Sequence, residues 1–466
     1  MGVTGRFPFK RFASGFVCAA AGSVLFAGAL AAQPVSPLII PMNNAEAASP
    51  EVPPILSMRD RAQVVNEILA DRLETIIPEI MREQKVSMWV LTAREYFESP
   101  VVATMLNAES LHARRRTILI FFDPGDGKPI ERLTVSRYGL GGMFDPAWNP
   151  DKEPDQWKAV ADIIAERDPA NIAINTSELT AFADGMTLSQ YNQFTAALPE
   201  KYKSRLVSGE GLSIRWLETR TPRELEIYPG ILRVAHGIIA EAFSRKVITP
   251  GKTTAEDVVW WYRQRVNDLG LKAWFQPSIA IQREGAEGML EGDEIIQPGD
   301  MLWTDFGITY LRLNTDTQHL AYVLKPDETQ APEGLRAGIA AANRVQDALL
   351  SSYKTGASGN DVLKVARAKA IAEGLDPSIY THPLGYHGHA AGTAIGFWDN
   401  QNGDERGDYP IHAGTTWSIE LAAYDKVPEW NNQRVEFRLE ENAYFDGSKV
   451  TFLDGRQTEL TLIPSD

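Results

Sequence analysis

Two apolar, strand-length stretches near the C-terminus each carry a carboxylate where a core side chain belongs. Trp417-Ser418-Ile419-Glu420-Leu421 holds one, and Arg438-Leu439-Glu440-Glu441-Asn442-Ala443-Tyr444-Phe445 holds another. A glutamate facing a core is costly unless it is paired or binds a cation. Any fold of this chain must therefore bring compensating charge inside a sheet. Pattern alone does not single out Glu440, because Glu436 and Glu441 fit the strand as exposed positions.

A second pair of acids lies upstream. The apolar run Met301-Leu302-Trp303-Thr304 delivers Asp305 and turns at Gly307, and Asp316 follows eleven residues after Asp305. A hairpin of that length sets two carboxylates side by side, which is unfavourable unless cations sit between them. Between the two acidic regions, three of the chain's seven histidines, His382, His387 and His389, fall within eight residues. Glycines flank them, so backbone can approach a ligand closely.

The rest of the chain sets the context. Its 466 residues suit two domains, and 44% hydrophobic with 23% charged residues suits full globular cores. The net charge of −15 argues against nucleic-acid binding. Residues 1–32 read as a secretory signal: Arg6, Lys10 and Arg11, an apolar run from Phe16 to Leu30, then Ala29-Leu30-Ala31 for cleavage. A second cleavage candidate is Ala45-Glu46-Ala47. The expectation is a periplasmic or secreted protein with no stable membrane insertion once the signal is removed. The single cysteine, Cys18, lies in that signal, so a metal site in the mature chain must use oxygen and imidazole.

Residues 33–55 read as a Pro- and Ala-rich linker. Residues 56–218 read as an α/β domain, with a helix over 57–83, strands near 86–91, 117–122 and 172–175, and a helix over 155–166. Thr221-Pro222 is a helix start opening the second domain, 219–466. Helical patterns follow at 223–246, with a kink or break expected at Pro229-Gly230, and at 254–268, 334–353 and 359–374. Strand-like stretches occupy 272–325 and 411–466.

The acids and histidine occur in the order Asp, Asp, His, Glu, Glu. This order resembles the methionine aminopeptidase, Xaa-Pro aminopeptidase and prolidase superfamily. Asp305-Phe306-Gly307 with Asp316 resembles its Asp-x-Gly…Asp hairpin, and Gly388-His389-Ala390-Ala391-Gly392 its Gly-His-x-x-Gly. Ser418-Ile419-Glu420 resembles the segment of its first glutamate, and Arg438-Leu439-Glu440-Glu441 its Arg-Ile-Glu-Asp. The resemblance implies an α+β protein: a C-terminal "pita-bread" (creatinase/aminopeptidase) domain preceded by an α/β creatinase-like domain. It implies Asp305, Asp316, His389, Glu420 and Glu440 as ligands of two divalent ions, Mn2+ foremost, with Co2+, Zn2+ or Fe2+ as alternatives. Asp316 and Glu440 would bridge them around a shared hydroxide, Glu420 would take the proton, and Arg438 would support Glu440.

The pattern departs from that superfamily at two positions. An upstream histidine is absent between Phe275 and Asp300, and the position seven to nine residues past His389 falls near Trp398. His382 and His387 are candidates to substitute catalytically, and His387 is an alternative ligand with His389 behind it. Tyr310 and Trp398, with Arg312 and Asp399, are candidate pocket residues by nearness to the ligands. The implied function is a dinuclear exopeptidase of the Xaa-Pro aminopeptidase or prolidase type, acting on short peptides as a homodimer. The alternatives are a non-peptidase lyase or hydrolase on the same fold, or a silent binding homologue.

Overall fold

A computed structural model describes residues 38–46 and 50–465. The expected signal segment lies outside the described residues. The first half forms an α/β layer structure. Helix α1 (Met58–Glu83) starts at Ser57, whose hydroxyl accepts from the Asp60 N–H. Strands β1 (Met88–Arg94), β2 (Arg116–Phe122), β3 (Glu131–Thr134), β4 (Asp145–Pro146), β5 (Ile172–Ile174) and β6 (Leu206–Ser208) form one sheet in the order β4-β3-β2-β1-β5-β6. β1 pairs antiparallel with β2 and parallel with β5. Helix α2 (Gln156–Arg167) begins at Asp155, whose carboxylate accepts from the Trp157 and Lys158 N–H groups. Apolar side chains fill both sheet faces, which is why these strands read as continuous hydrophobic runs.

Helix α3 (Glu210–Glu218) leads to the second half. There α4 (Pro222–Ala242) starts with a capping box: Thr221 accepts from the Glu224 N–H, and Glu224 accepts from the Thr221 N–H. The helix runs through Pro229 rather than breaking there. Ile227, Tyr228, Ile231, Leu232, Val234 and Ala235 are all buried along it, and that packing outweighs the single backbone bond proline removes. Gly230 has a different use. The backbone of Leu38 lies so close that a Cβ at 230 would sit 2.2 Å from its carbonyl oxygen. Residues 38–46 and 50–56, in the stretch read as a linker, form a strap along this helix, with Leu38 fully buried.

The large sheet carries the site. Strands β7 (Ser278–Gln282), β8 (Met301–Phe306), β9 (Thr317–Val323), β10 (Asp376–Ile379), β11 (His382–Pro383), β12 (Thr415–Val427), β13 (Gln433–Phe445), β14 (Val450–Phe452) and β15 (Thr461–Ile463) form one nine-stranded curled sheet. Its main path is β10-β12-β13-β9-β8-β7, with β11 on β12, β14 on β13 and β15 on β9. Helices α4 and α5 (Ala255–Asp268) pack with β7 and β8 in one core. Helices α6 (Glu333–Leu350) and α7 (Gly359–Ala372) pack with β12 and β13 in the other. The fold is the α+β architecture expected, a curled sheet with helices preceded by an α/β domain. Among the described residues no helix is long and apolar enough to cross a membrane.

Candidate metal centre

Strand register builds the site. On β8 and β9, Asp305 pairs with Gln318; on β9 and β13, Gln318 pairs with Glu440; on β13 and β12, Glu440 pairs with Glu420. Asp305, Gln318, Glu440 and Glu420 therefore form one transverse row across four strands. Asp316 lies two residues before Gln318, so by the period-2 alternation it shares that face. The next strand over contributes His382, whose β11 partner is Ser418, two residues from Glu420. The local sequence makes these strands through Trp417, Ile419 and Leu421 on β12 and Leu439 on β13, which alternate into the α6–α7 core.

The centre is buried and strongly acidic. One oxygen each of Asp305, Asp316 and Glu440 lie within 4.8 Å of one another, and His382, Glu420 and Glu440 form a second such group. His382 Nε2 sits 3.5 Å from Asp316, 3.6 Å from Glu440 and 4.0 Å from Glu420. Its Nδ1 lies 2.9 Å from the Pro383 carbonyl oxygen, which accepts its proton, and its Nε2 faces the acids. Burial, with the neighbouring Asp316 and Glu440, pushes the Asp305 carboxyl well above its usual range. Burial and Glu440 do the same to Asp316, and burial with Glu440 and Asp305 to Glu420. Opposed glutamates on adjacent strands are destabilising without a counter-charge.

Polar neighbours hold the row in place without neutralising it. Gln318 donates to Glu420 and, at 3.5 Å, to Asp305. The Trp303 indole N–H donates to the Gln318 carbonyl oxygen. Ser418 donates to Glu440, and the Trp398 indole N–H donates to Glu420 at 3.2 Å. Asn442 accepts from the Asp316 N–H at 3.1 Å. Within this row and its imidazole, Asp305 Oδ1 and His382 Nε2 are buried without a hydrogen-bond partner. Four carboxylates, one imidazole and two orphaned donor atoms suit divalent cations, so the residues present fit the implied metal.

The remaining candidates fall around this cluster. His389 lies beside it at the cavity wall, its ring centre 4.8 Å from that of His382 and edge-on to Trp274. It also groups with Asp316 and His382 at ligand spacing. Burial, with His382, lowers its pKa to about 4, so it is a neutral imidazole at pH 7. His387 points the other way and stacks on Phe182 of the first domain at 4.6 Å. Arg438 donates to Glu436 and lies over the Trp303 and Trp398 rings, so it reaches Glu420 through Trp398. Tyr310 lies in the α4–α5 core instead of the cavity, its hydroxyl accepting from the Leu56 N–H. Arg312 donates to the Leu106 carbonyl in the first domain.

The cluster opens on a cavity of about 700 Å³. Tyr380, Pro383, Phe397 and Arg406 supply one wall, and Phe182 and Ile214 of the first domain the other. Residues 230–445 match the sequence profile of metallopeptidase family M24. This part of the chain is similar to metallopeptidase family M24.

Solved structures agree on the fold. An X-Pro aminopeptidase from Thermotoga maritima superimposes with a TM-score of 0.58 at 14% identity, over 82% of this chain and 99% of that one. A dipeptidase from Pyrococcus horikoshii gives 0.57 at 17% identity, over 84% and 99%. A prolidase from Pyrococcus furiosus gives 0.53 at 14% identity, over 81% and 99%. None of the curated proteins matches the chain.

Several residues of this site escaped the sequence reading. Gln318 and Ser418 carried a signal, since each stands two residues from a ligand candidate on a strand and must share its face. Phe182 and Ile214 carried none, because the first domain reaches the cavity only through the tertiary fold.

Proposed function

We propose that this chain is a metal-dependent exopeptidase acting on short peptides, of the Xaa-Pro aminopeptidase or prolidase kind. The observation that carries the reading is the buried row Asp305–Gln318–Glu440–Glu420 completed by Asp316 and His382, with unpartnered donor atoms, at the end of a largely apolar cavity. Divalent ions bound there would polarise a peptide carbonyl and make water a competent nucleophile near neutral pH. The oxygen-rich donor set favours Mn2+.

The chain's own groups then divide the work. We assign His382 as the imidazole ligand, because its free Nε2 faces Asp316, Glu440 and Glu420 together. His389 stands seven residues on, at the cavity wall, as a neutral imidazole able to donate to a substrate carbonyl. Glu420 is the proton acceptor: it accepts hydrogen bonds from Gln318 and Trp398 on Oε1, and burial with Glu440 and Asp305 raises its pKa, which strengthens it as a base. Phe182 and Ile214 narrow the cavity from the first domain, which restricts it to short substrates. The test is metal analysis of the purified full-length protein with an Ala-Pro, Met-Ala and Gly-Pro panel. Cleavage that stops with chelator and returns with Mn2+ is expected. Bound metal with no dipeptide cleaved would overturn the peptidase reading in favour of a lyase or another hydrolase.

A further inference from the structure

Strand β13 carries a second acid directly after Glu440, and it points to the opposite face of the sheet. Glu441 is fully buried there with two histidines. His319 of β9 places Nε2 2.8 Å from Glu441 Oε1, and His236 of α4 places Nε2 3.1 Å from Glu441 Oε2. The two imidazoles stack with ring centres 5.2 Å apart. Three atoms, one from each residue, lie within 4.8 Å of one another. We propose that His236, His319 and Glu441 form a separate mononuclear site for a zinc-class divalent ion, on the face of the sheet opposite the carboxylate row.

Four features argue for an ion over a simple hydrogen-bond cluster. Both imidazoles aim the same nitrogen, Nε2, at one carboxylate. The separations of 2.8 and 3.1 Å are close to the edge of a coordination tetrahedron with bonds of about 2.0–2.1 Å, so an ion fits after small side-chain movements. His236 Nδ1 sits 2.9 Å from Asp454 Oδ2, and Arg233 fixes that carboxylate by donating from Nε at 2.7 Å. A carboxylate behind a ligating histidine sets its tautomer and raises its basicity. Finally, the ion-pair partners of Glu441 among the described residues are the two histidines, with the Gln457 N–H donating to Oε1 at 2.9 Å, so a protonated imidazole is what balances it there and a divalent ion would take that place.

The site has room for a fourth ligand. His236 and His319 line a polar cavity of about 520 Å³ with Glu46, Gln457 and Glu459. Three protein ligands and an open position facing solvent make an exchangeable site rather than a closed structural one. Two imidazoles with one carboxylate select zinc, while the carboxylate-rich row on the other face selects manganese.

Crystals of the full chain grown without metal and soaked in zinc chloride test this directly. An anomalous peak at the zinc edge between His236, His319 and Glu441 is expected. Its absence with zinc in excess overturns the proposal and leaves a hydrogen-bond network only. Equilibrium dialysis against zinc gives the second measurement. His319→Gln should bind one zinc fewer per chain than the parent, and equal stoichiometry would refute the assignment. Neither readout depends on peptide cleavage, so the outcome is separable from that of the proposed activity.

Discussion

Glu224→Gln should cost about 3–5 kcal/mol of stability, because it leaves two buried guanidinium groups without their shared anion. Arg72, Arg220 and Glu224 are all nearly or fully buried where α3 meets α4. Arg72 Nη1 donates to Glu224 at 2.7 Å and Arg220 Nη1 at 3.0 Å, while the Thr221 N–H donates at 2.7 Å. With charge centres about 4 Å apart and an effective dielectric near 20, each ion pair is worth about 4 kcal/mol of Coulomb energy. The glutamine no longer pays the desolvation of a carboxylate, which is several kcal/mol, so the net loss falls to the value above. The Thr219 carbonyl and the Trp216 and Tyr386 rings still receive the guanidiniums, which limits the damage. Urea unfolding followed by tryptophan fluorescence measures the loss. Its pH dependence supplies the decisive control. Burial opposes ionisation of Glu224, yet Arg220 and then Arg72 hold its pKa below the ordinary value of 4.5. A depressed folded pKa gives stability that is present above about pH 4.5 and lost as pH falls through the folded value. The gap between parent and variant should therefore narrow as pH falls below that range. A gap under about 1 kcal/mol at pH 7, or one that stays constant down to pH 3, would refute the charge argument.

Other substitutions probe the site and the strap. His382→Ala should lose bound metal together with activity. His389→Ala should keep the metal while kcat falls about 10²–10⁴-fold, and the reverse pattern in metal analysis would exchange the two roles. Glu420→Gln should leave a folded protein with kcat reduced by about 10²–10⁴-fold, measured on whichever dipeptide the parent cleaves best. Trp398→Phe removes a donor to the Glu420 carboxylate, so the acid limb of the pH–rate profile should move to higher pH; an unmoved limb would remove Trp398 from the proton path. Leu38→Ala empties a buried site beneath Gly230 and should cost about 2–5 kcal/mol in urea unfolding. We propose that the chain is exported with cleavage after Ala31, which would keep the strap, in which Asn44 accepts from the Phe452 N–H and Glu46 from the Thr458 N–H. Intact mass should therefore place the mature N-terminus near residue 32, and a start at 48 would refute the strap's importance.

Much of the architecture was legible because burial follows period. The runs at 117–122 and 172–175 appear as β2 and β5, buried on both faces, and the apolar spacing from Ser57 to Glu83 appears as the buried side of α1. Pro229 misled because a helix break is a local inference, whereas α4 is held by packing along its whole length. The strap at 38–56 misled for the converse reason. Its Pro-rich composition is that of a linker, and only glycines on a partner helix, Gly230 and Gly237, reveal that a backbone lies against them. The four carboxylates were visible one by one as acids in apolar strands. Their alignment into a row was not visible, since register between β9 and β13 depends on strands more than a hundred residues apart.

The histidines show the same limit at higher resolution. His382-Pro383-Leu384-Gly385 and His389-Ala390-Ala391-Gly392 both read His-x-x-Gly, so a linear motif fits two places seven residues apart. Only His382 is paired into the sheet, opposite Ser418, and that pairing brings its Nε2 within 4.0 Å of three carboxylates. His389 follows in a glycine-rich loop, where Gly388 packs its backbone against Trp274. Taking His382 as the ligand changes the functional argument as well as the ligand list. The superfamily's second histidine stands seven to nine residues past the ligand, and with His382 as origin His389 meets that interval. One of the two histidines that seemed absent is then present, and it faces the cavity. The upstream histidine alone stays missing between Phe275 and Asp300, so on the proposed peptidase reading the chain's own groups nearest the scissile bond are His389 and Glu420.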